Sequence, residues 1–287
     1  MKAGKVHNFR ETAMKFLFLI AACVSILAVI LICVFLFANG IPTMHEIGFL
    51  NFLLGTTWAP SQDIYGIFPM IIASIIVTAG AIILGVPAGL LCAIFLARFC
   101  PKKLYTVLKP AAELLAGIPS IVYGFFGLVV IVPLMQNLVG GGGKSIITAS
   151  VMLGIMILPT IINVAESSIR AVPESYYEGS LALGATHERS VFSAVLPAAK
   201  SGILAGVILG VGRAIGETMA VVMVAGNQPA LPDSILSGVR TLTANIVLEM
   251  GYATDLHREA LIACGVVLFV FILIINLCFS ALKRRTE

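Results

Sequence analysis

Residues 177–197 read YEGSLALGATHERSVFSAVLP. This polar stretch separates two apolar runs in a chain that is 59% hydrophobic and 11% charged. Its residue order describes a short helix lying outside a membrane. Gly179, Ser180, Ala182, Gly184 and Ala185 are small, so the helix can sit deep in a partner's groove. Gly184 can end it in a left-handed conformation. Pro197 suits the first turn of the next helix, where its missing N–H costs nothing. Composition alone favours an ordinary connector between two membrane helices; the spacing of the residues within the stretch reverses that reading.

The chain around this stretch has 287 residues, a formal net charge of +4 and a mean hydropathy of +1.06. A soluble domain carries roughly 25% charged residues, so the composition describes a polytopic membrane protein. About 20 apolar residues cross a bilayer, and six runs are long enough: 16–38, 71–96, 112–138, 146–169, 198–224 and 260–282. The first exceeds a signal-peptide core and is read as a retained span. Pro119 and Pro133 fall inside the third and are tolerated there if neighbours satisfy the freed carbonyls. Pro159 marks a kink in the fourth. The expectation is an all-α, single-domain membrane protein with six transmembrane helices and a loop at 170–197.

Six crossings put both termini on one side. Of the 18 Lys and Arg, 14 fall in the termini and loops of that side. By the positive-inside rule the termini and residues 170–197 face the cytoplasm. The basic excess therefore marks loops rather than a nucleic-acid partner. The six cysteines lie in or beside apolar runs and form no CxxC pair, which reads as small buried residues and neither metal site nor disulfide.

Two motifs fail on inspection. Gly140 to Ser145 reads GGGGKS, but a phosphate-binding loop needs glycine where Leu138 stands, a preceding strand, and a cytoplasmic position. It is a glycine-rich turn. His187-Glu188 begins like a zinc-protease motif, but Val191 occupies the place of the second histidine. With no nucleophile, base and orienting group in sight, the chain is expected to have no catalytic site and to bind no cofactor of its own.

The fifth run carries the candidate path. In SGILAGVILGVGRAIGETMAVV, Gly202, Gly206 and Gly210 recur every four residues and form a stripe on which another helix can pack closely. At about 100° per residue, Arg213 falls within about 20° of that stripe, and Glu217 lies one turn further on the same face. Charges at such depth are costly and often functional. A structural Arg–Glu pair is one reading. The other is an anion path, in which Arg213 offers forked donors to an oxyanion and Glu217 tempers the charge. A carboxylate also accepts a hydrogen bond from a protonated phosphate, which ionised sulfate cannot give. Elsewhere, Glu113 is expected in the first turn of the third helix, Glu166 at the cytoplasmic interface, and Trp58 and Tyr65 at the outer membrane surface.

Glu178-Gly179-Ser180, then Gly184, then Leu196-Pro197, resembles the EAA loop of ABC-importer permeases, with Gly179 and Ser180 in place of two alanines and Ala194 where isoleucine is usual. Arg213 to Ala220, RAIGETMA, looks like the fifth-span motif of phosphate importer permeases, and Glu113 to Gly124, ELLAGIPSIVYG, resembles another run of that group. Trp58-Ala59-Pro60, Tyr65-Gly66-Ile67 and Pro69 favour the PstC-type subunit over its PstA-type partner. The resemblance implies a type I importer permease in a bacterial or archaeal plasma membrane. It implies a PstA-like permease, two PstB-like ATPases that hold ATP and Mg, and a PstS-like phosphate-binding protein. It places Glu178 to Gly184 in the helix that couples to the ATPase, and Arg213 and Glu217 on the phosphate path. A link to a phosphate-sensing kinase is also implied. The alternatives are a permease for sulfate or molybdate, an ion-driven carrier, and a membrane component of phosphate signalling.

Overall fold

The computed structural model describes residues 2–284. Helix α1 (Lys2–Ile47) is followed, through Gly48 at φ +91°, by the short α2 (Phe49–Leu54). Strands β1 (Trp58–Ala59) and β2 (Ile64–Tyr65) form an antiparallel hairpin with Trp58 opposite Tyr65. Helix α3 (Phe68–Ile94) runs on through a wider π-helical turn to Phe99. Next come α4 (Lys102–Gly117), then α5 (Ser120–Phe126), which passes through a second π-helical turn into α6 (Val132–Val139).

The glycines at 140–143 turn the chain into α7 (Ile146–Arg170), whose first turn is capped by Ser145. Helices α8 (Glu174–Ala182), α9 (His187–Ser190) and α10 (Leu196–Ala198) fill the polar segment. Helices α11 (Lys200–Gly216), α12 (Met219–Val224), α13 (Leu242–Glu249) and α14 (Asp255–Arg284) complete the fold.

Five stretches are individually long and apolar enough to cross a bilayer, and a sixth is reached when α11 is counted with residues 187–198, bent 71° from it. Helix α7 is the centre, with 15 buried residues along its length. Small residues decide what packs on it. A methyl added at Gly85 would come within 2.8 Å of the Gly154 carbonyl, and one at Gly89 within 3.0 Å of Ile161, so α3 lies against α7 in the same direction. On another side, Gly202 faces Ser168, Gly206 faces Val164 at 3.2 Å and Gly210 faces Ile161 at 2.8 Å. The falling partner numbers make α11 antiparallel to α7, and the stripe read from the sequence is its contact face. Without water to drive association, this close approach is what holds membrane helices together.

Helices α1 and α14 pack against each other through Gly40, beneath Ala263 and Val266, and through an edge-on Phe37–Phe269 pair at 5.8 Å. The rest of α1 between Phe16 and Leu31 is exposed, as a lipid-facing helix is.

Two expected spans are cut by the backbone. The third does not run from 112 to 138: Pro119 holds Ile118 extended at φ −70° and ψ 127°, so α4 stops at Gly117 and the crossing is Ser120–Val139. Pro119 lies between two helices rather than inside one. Glu113 is consequently in the last turns of α4, beyond Pro110, and not at a helix start; it pairs at 3.5 Å with Lys109 on an exposed face. The fifth does not run unbroken from 198 to 224: α11 ends at Gly216, Glu217 is extended at φ −70° and ψ 131°, and α12 starts at Met219.

Candidate functional site at the broken helix

Arg213 sits in the last turn of α11, half-buried. Its Nη1 donates to Thr160 Oγ1 of α7 at 3.2 Å. Among the described residues Arg213 has no carboxylate partner and no second hydrogen bond. The break that follows removes Glu217 from the α-helical phase. The sequence-level expectation of an i, i+4 Arg213–Glu217 pair on one face is therefore corrected: the pair needs continuous helix, and the helix stops between the two residues. Glu217 instead turns forward, and its Oε1 accepts from the Ala220 N–H at 3.2 Å, capping α12.

The break itself is braced. Thr218 Oγ1 donates to the Gly216 carbonyl at 3.2 Å, and Thr243 Oγ1 of α13 donates to the Glu217 carbonyl at 3.2 Å. Such bonds matter because a helix end leaves backbone groups without intrahelical partners. The break between α4 and α5 is braced likewise, by Tyr123 Oη donating to the Leu115 carbonyl at 2.8 Å. Gly124 lets α5 press on α12, since a methyl there would lie 2.8 Å from Ala220 Cα. Two interrupted helices thus meet where α5 presses on α12, with Arg213 at the end of α11 before one of the breaks.

The second predicted site, residues 178–197, is at the basic end of the bundle. Helix α8 stands out from the protein: Glu178 and Gly179 are exposed, and a methyl at Gly179 would meet nothing within 4 Å. Gly184 is at φ +84°, and the Gly184 and Ala185 N–H groups donate to the Leu181 and Ser180 carbonyls. Leu183 is 91% exposed, with Tyr176 and Leu181 exposed beside it. Leu196 and Pro197 lie further along, with Pro197 in the first turn of α10 after a π-helical turn over Val191–Val195. The root of α8 is fixed by the Arg98–Glu174 ion pair at 3.0 Å and by Tyr177 Oη, 2.8 Å from His187 Nδ1.

Two carboxylates that the sequence reading undervalued prove to be hubs. Glu166 is 2% exposed, not at the interface. Lys109 and Arg170 pair with it, and Tyr105 Oη donates to it at 3.0 Å. Arg170 also stacks on Tyr105, 4.1 Å from the ring centre. Burial, and then the neighbouring Glu166 carboxylate, push the Tyr105 phenol above its usual range, so it remains an O–H donor at neutral pH. The i, i+4 spacing of Glu166 and Arg170 was the available signal.

At the other end, Glu249 is 6% exposed and accepts from Trp58 Nε1 at 2.9 Å, His257 Nε2 at 2.8 Å and Arg240. Trp58 and Tyr65 are therefore buried against this cluster rather than marking the membrane surface. Nothing local in the sequence pointed to Glu249. Among the described residues no three of His, Cys, Asp and Glu converge as metal ligands would.

The family described as "Binding-protein-dependent transport system inner membrane component" matches residues 85–287. The chain is 37% identical over 278 residues to the probable ABC transporter permease protein YqgH of Bacillus subtilis, covering 92% of this chain and 90% of that one. It is 35% identical over 265 residues to the phosphate transport system permease protein PstC of Mesorhizobium japonicum, covering 85% of this chain and 81% of that one. Among solved structures, an inward-facing form of the MetNI methionine ABC transporter superposes with a TM-score of 0.63 at 19% identity, covering 80% of this chain and all of that one. That last likeness concerns the fold.

Proposed function

The chain belongs to the family of binding-protein-dependent transport system inner membrane components, and from that premise we propose that it passes inorganic phosphate across the plasma membrane as the permease subunit of an ATP-driven importer. It is a multi-pass, non-catalytic membrane subunit. The observation that carries the path is Arg213, an arginine inside a crossing with most of its donors free and a helix break beside it. An arginine at such depth costs about 2.5–3.5 kcal/mol on insertion scales. An anion that neutralises it in passage gives a reason to keep it. The choice of phosphate rests on the PstC relatives, which match over most of their length.

Arg213 presents its fork to the phosphate oxygens. Glu217 accepts a hydrogen bond from a protonated phosphate oxygen, which favours phosphate over ionised sulfate. Helix α8, with Glu178, Gly179, Ser180 and Gly184, docks on a PstB-like ATPase, and Leu196 and Pro197 set the helix that follows. ATP and Mg sit on that partner, one of two copies, and this chain binds no cofactor. A PstA-like permease completes the pathway, and a PstS-like protein delivers phosphate from outside. Nucleotide-driven motion of α8 reaches α7 directly, because only the turn at 171–173 lies between them, and Thr160 of α7 holds Arg213.

The test is uptake of labelled phosphate at low external concentration in cells lacking the chain, complemented with the wild type or Arg213→Gln. Membrane levels are measured and unlabelled sulfate is the competitor. Uptake restored by the wild type, insensitive to sulfate and lost by at least about tenfold in the inserted variant, is the expected result, about 1.4 kcal/mol or more in the activation barrier for transport. Full restoration by Arg213→Gln would return this residue to a structural role.

A further inference from the structure

Helix α13 has one end at the helix break and the other at the outer carboxylate hub. Near its start, Thr241 caps the first turn, the Leu242 N–H donates to Ser74 Oγ of α3 at 3.0 Å, and Thr243 Oγ1 donates to the Glu217 carbonyl. At its end stands Glu249, six residues and about 9 Å further along the axis. Its two oxygens gather three separate segments: Trp58 from the hairpin, His257 from the first turn of α14, and Arg240 from the loop before α13. Arg240 also donates to the Asn245 side chain and to the Asn227 carbonyl, each at 3.0 Å, tying that loop down. Leu242, Ile246 and Met250 pack into the same apolar cluster as Phe52, Trp58 and Leu261. An eight-residue helix held at both ends moves as a unit, so displacement of the hub is delivered to the Glu217 carbonyl.

We propose that Glu249 is a positioning residue for the permeation site: acting through α13 and Thr243, it fixes the Glu217 backbone and with it the placement of the Glu217 carboxylate, which caps α12 beyond the break that follows Arg213. The bearing of this link on transport rests on Arg213 and Glu217 lining the phosphate path. The link itself is a property of the fold and is measured without phosphate.

Gly216 provides the probe position. It is exposed at the break, and a side chain added there meets nothing within 4 Å. The assembled transporter carrying Gly216→Cys is purified into nanodiscs and reacted with a maleimide. Label taken up by the native cysteines is subtracted, using the chain that lacks this substitution. Glu249→Gln is expected to raise the labelling rate by about tenfold, the change that loss of a hydrogen bond to a charged group permits, and Thr243→Val, which removes a neutral hydrogen bond to a carbonyl, by about fivefold. The double variant is expected to label no faster than the faster single one, because both act through one helix.

In uptake, the two variants are expected to raise the KM for phosphate with little change in Vmax. A hub that served the fold alone would lower membrane level and Vmax together and leave KM unchanged. Should Glu249→Gln fail to insert, Thr243→Val removes only a hydroxyl from the far end of α13 and keeps the test. An unchanged labelling rate in Thr243→Val, or multiplied effects in the double variant, overturns the proposal. Absence of phosphate uptake by the wild type would reject the substrate and leave the labelling result standing.

Discussion

The protein buries one carboxylate hub at each end of its helical bundle, and the two are built differently. Glu166 draws on Lys109, Arg170 and Tyr105, two permanent cations and a phenol, and it joins α4 to α7. Glu249 draws on Arg240, His257 and Trp58, one permanent cation, one titratable ring and one neutral indole, and it joins a hairpin, a loop and two helices. The inner hub clamps α4 to α7, next to the exposed helix α8. The outer hub gathers segments that are distant in sequence and reaches the helix break through α13. A buried carboxylate thus serves as a two-helix clamp at one end of the bundle and as a many-armed tie at the other.

The largest expected effect breaks the inner hub. Glu166→Leu takes one buried carboxylate from two cations and a phenol at once, leaving Lys109 only Asn163 and the exposed Glu113, a loss of about 3 kcal/mol, read as a fall in the thermal midpoint of the purified complex. Adding Lys109→Met should recover much of it, since Arg170 is partly exposed and can turn outward. Glu249→Leu should cost less, about 1.5–3 kcal/mol, because only one permanent cation, Arg240, loses a carboxylate there, and it retains Asn245 and the Asn227 carbonyl. Equal losses at the two sites would erase the distinction.

Smaller changes sharpen it. Tyr105→Phe removes a single donor from Glu166, and about 1 kcal/mol is expected in the same thermal assay. Trp58→Phe removes a donor from Glu249 and also leaves a void, so its loss should exceed that of Tyr105→Phe. The control lies midway between the hubs. Gly210→Ala pushes a methyl into Ile161 and should destabilise by about 1–3 kcal/mol, while Gly212→Ala, with open space, should be neutral or stabilise slightly. A penalty at Gly212 would mean that another chain covers that face in the assembled transporter.

Much of this was legible in the sequence because the relevant signals are local. The stripe Gly202, Gly206, Gly210 needs only helical spacing to be read, and α7 does pack on it. Gly184 could be assigned a left-handed turn from its place after a run of small residues, and it has φ +84°. The misreadings of the third and fifth spans, and of Glu113 and Glu217 with them, had one cause, the assumption that helices continue. Pro119 and Glu217 each interrupt what hydropathy treats as one span, and a hydropathy window does not sense backbone angles. Glu217 therefore could not be placed relative to Arg213 by counting residues.

The sequence by itself determined the class of protein, the approximate course of its five to six long apolar stretches, and the positions of the charges within them. Hydropathy, charge bias and small-residue spacing act over one or two dozen residues, so they are written in order along the chain. Only the tertiary structure decided which charges are paired. Glu249 meets Trp58 across 191 positions, Glu166 meets Lys109 across 57, and Arg213 meets Thr160 across 53. A buried charge is stabilised by whatever partner the packed helices bring within about 3 Å of it, and that pairing follows from how α3, α7, α11, α13 and α14 pack, not from any neighbour in the chain.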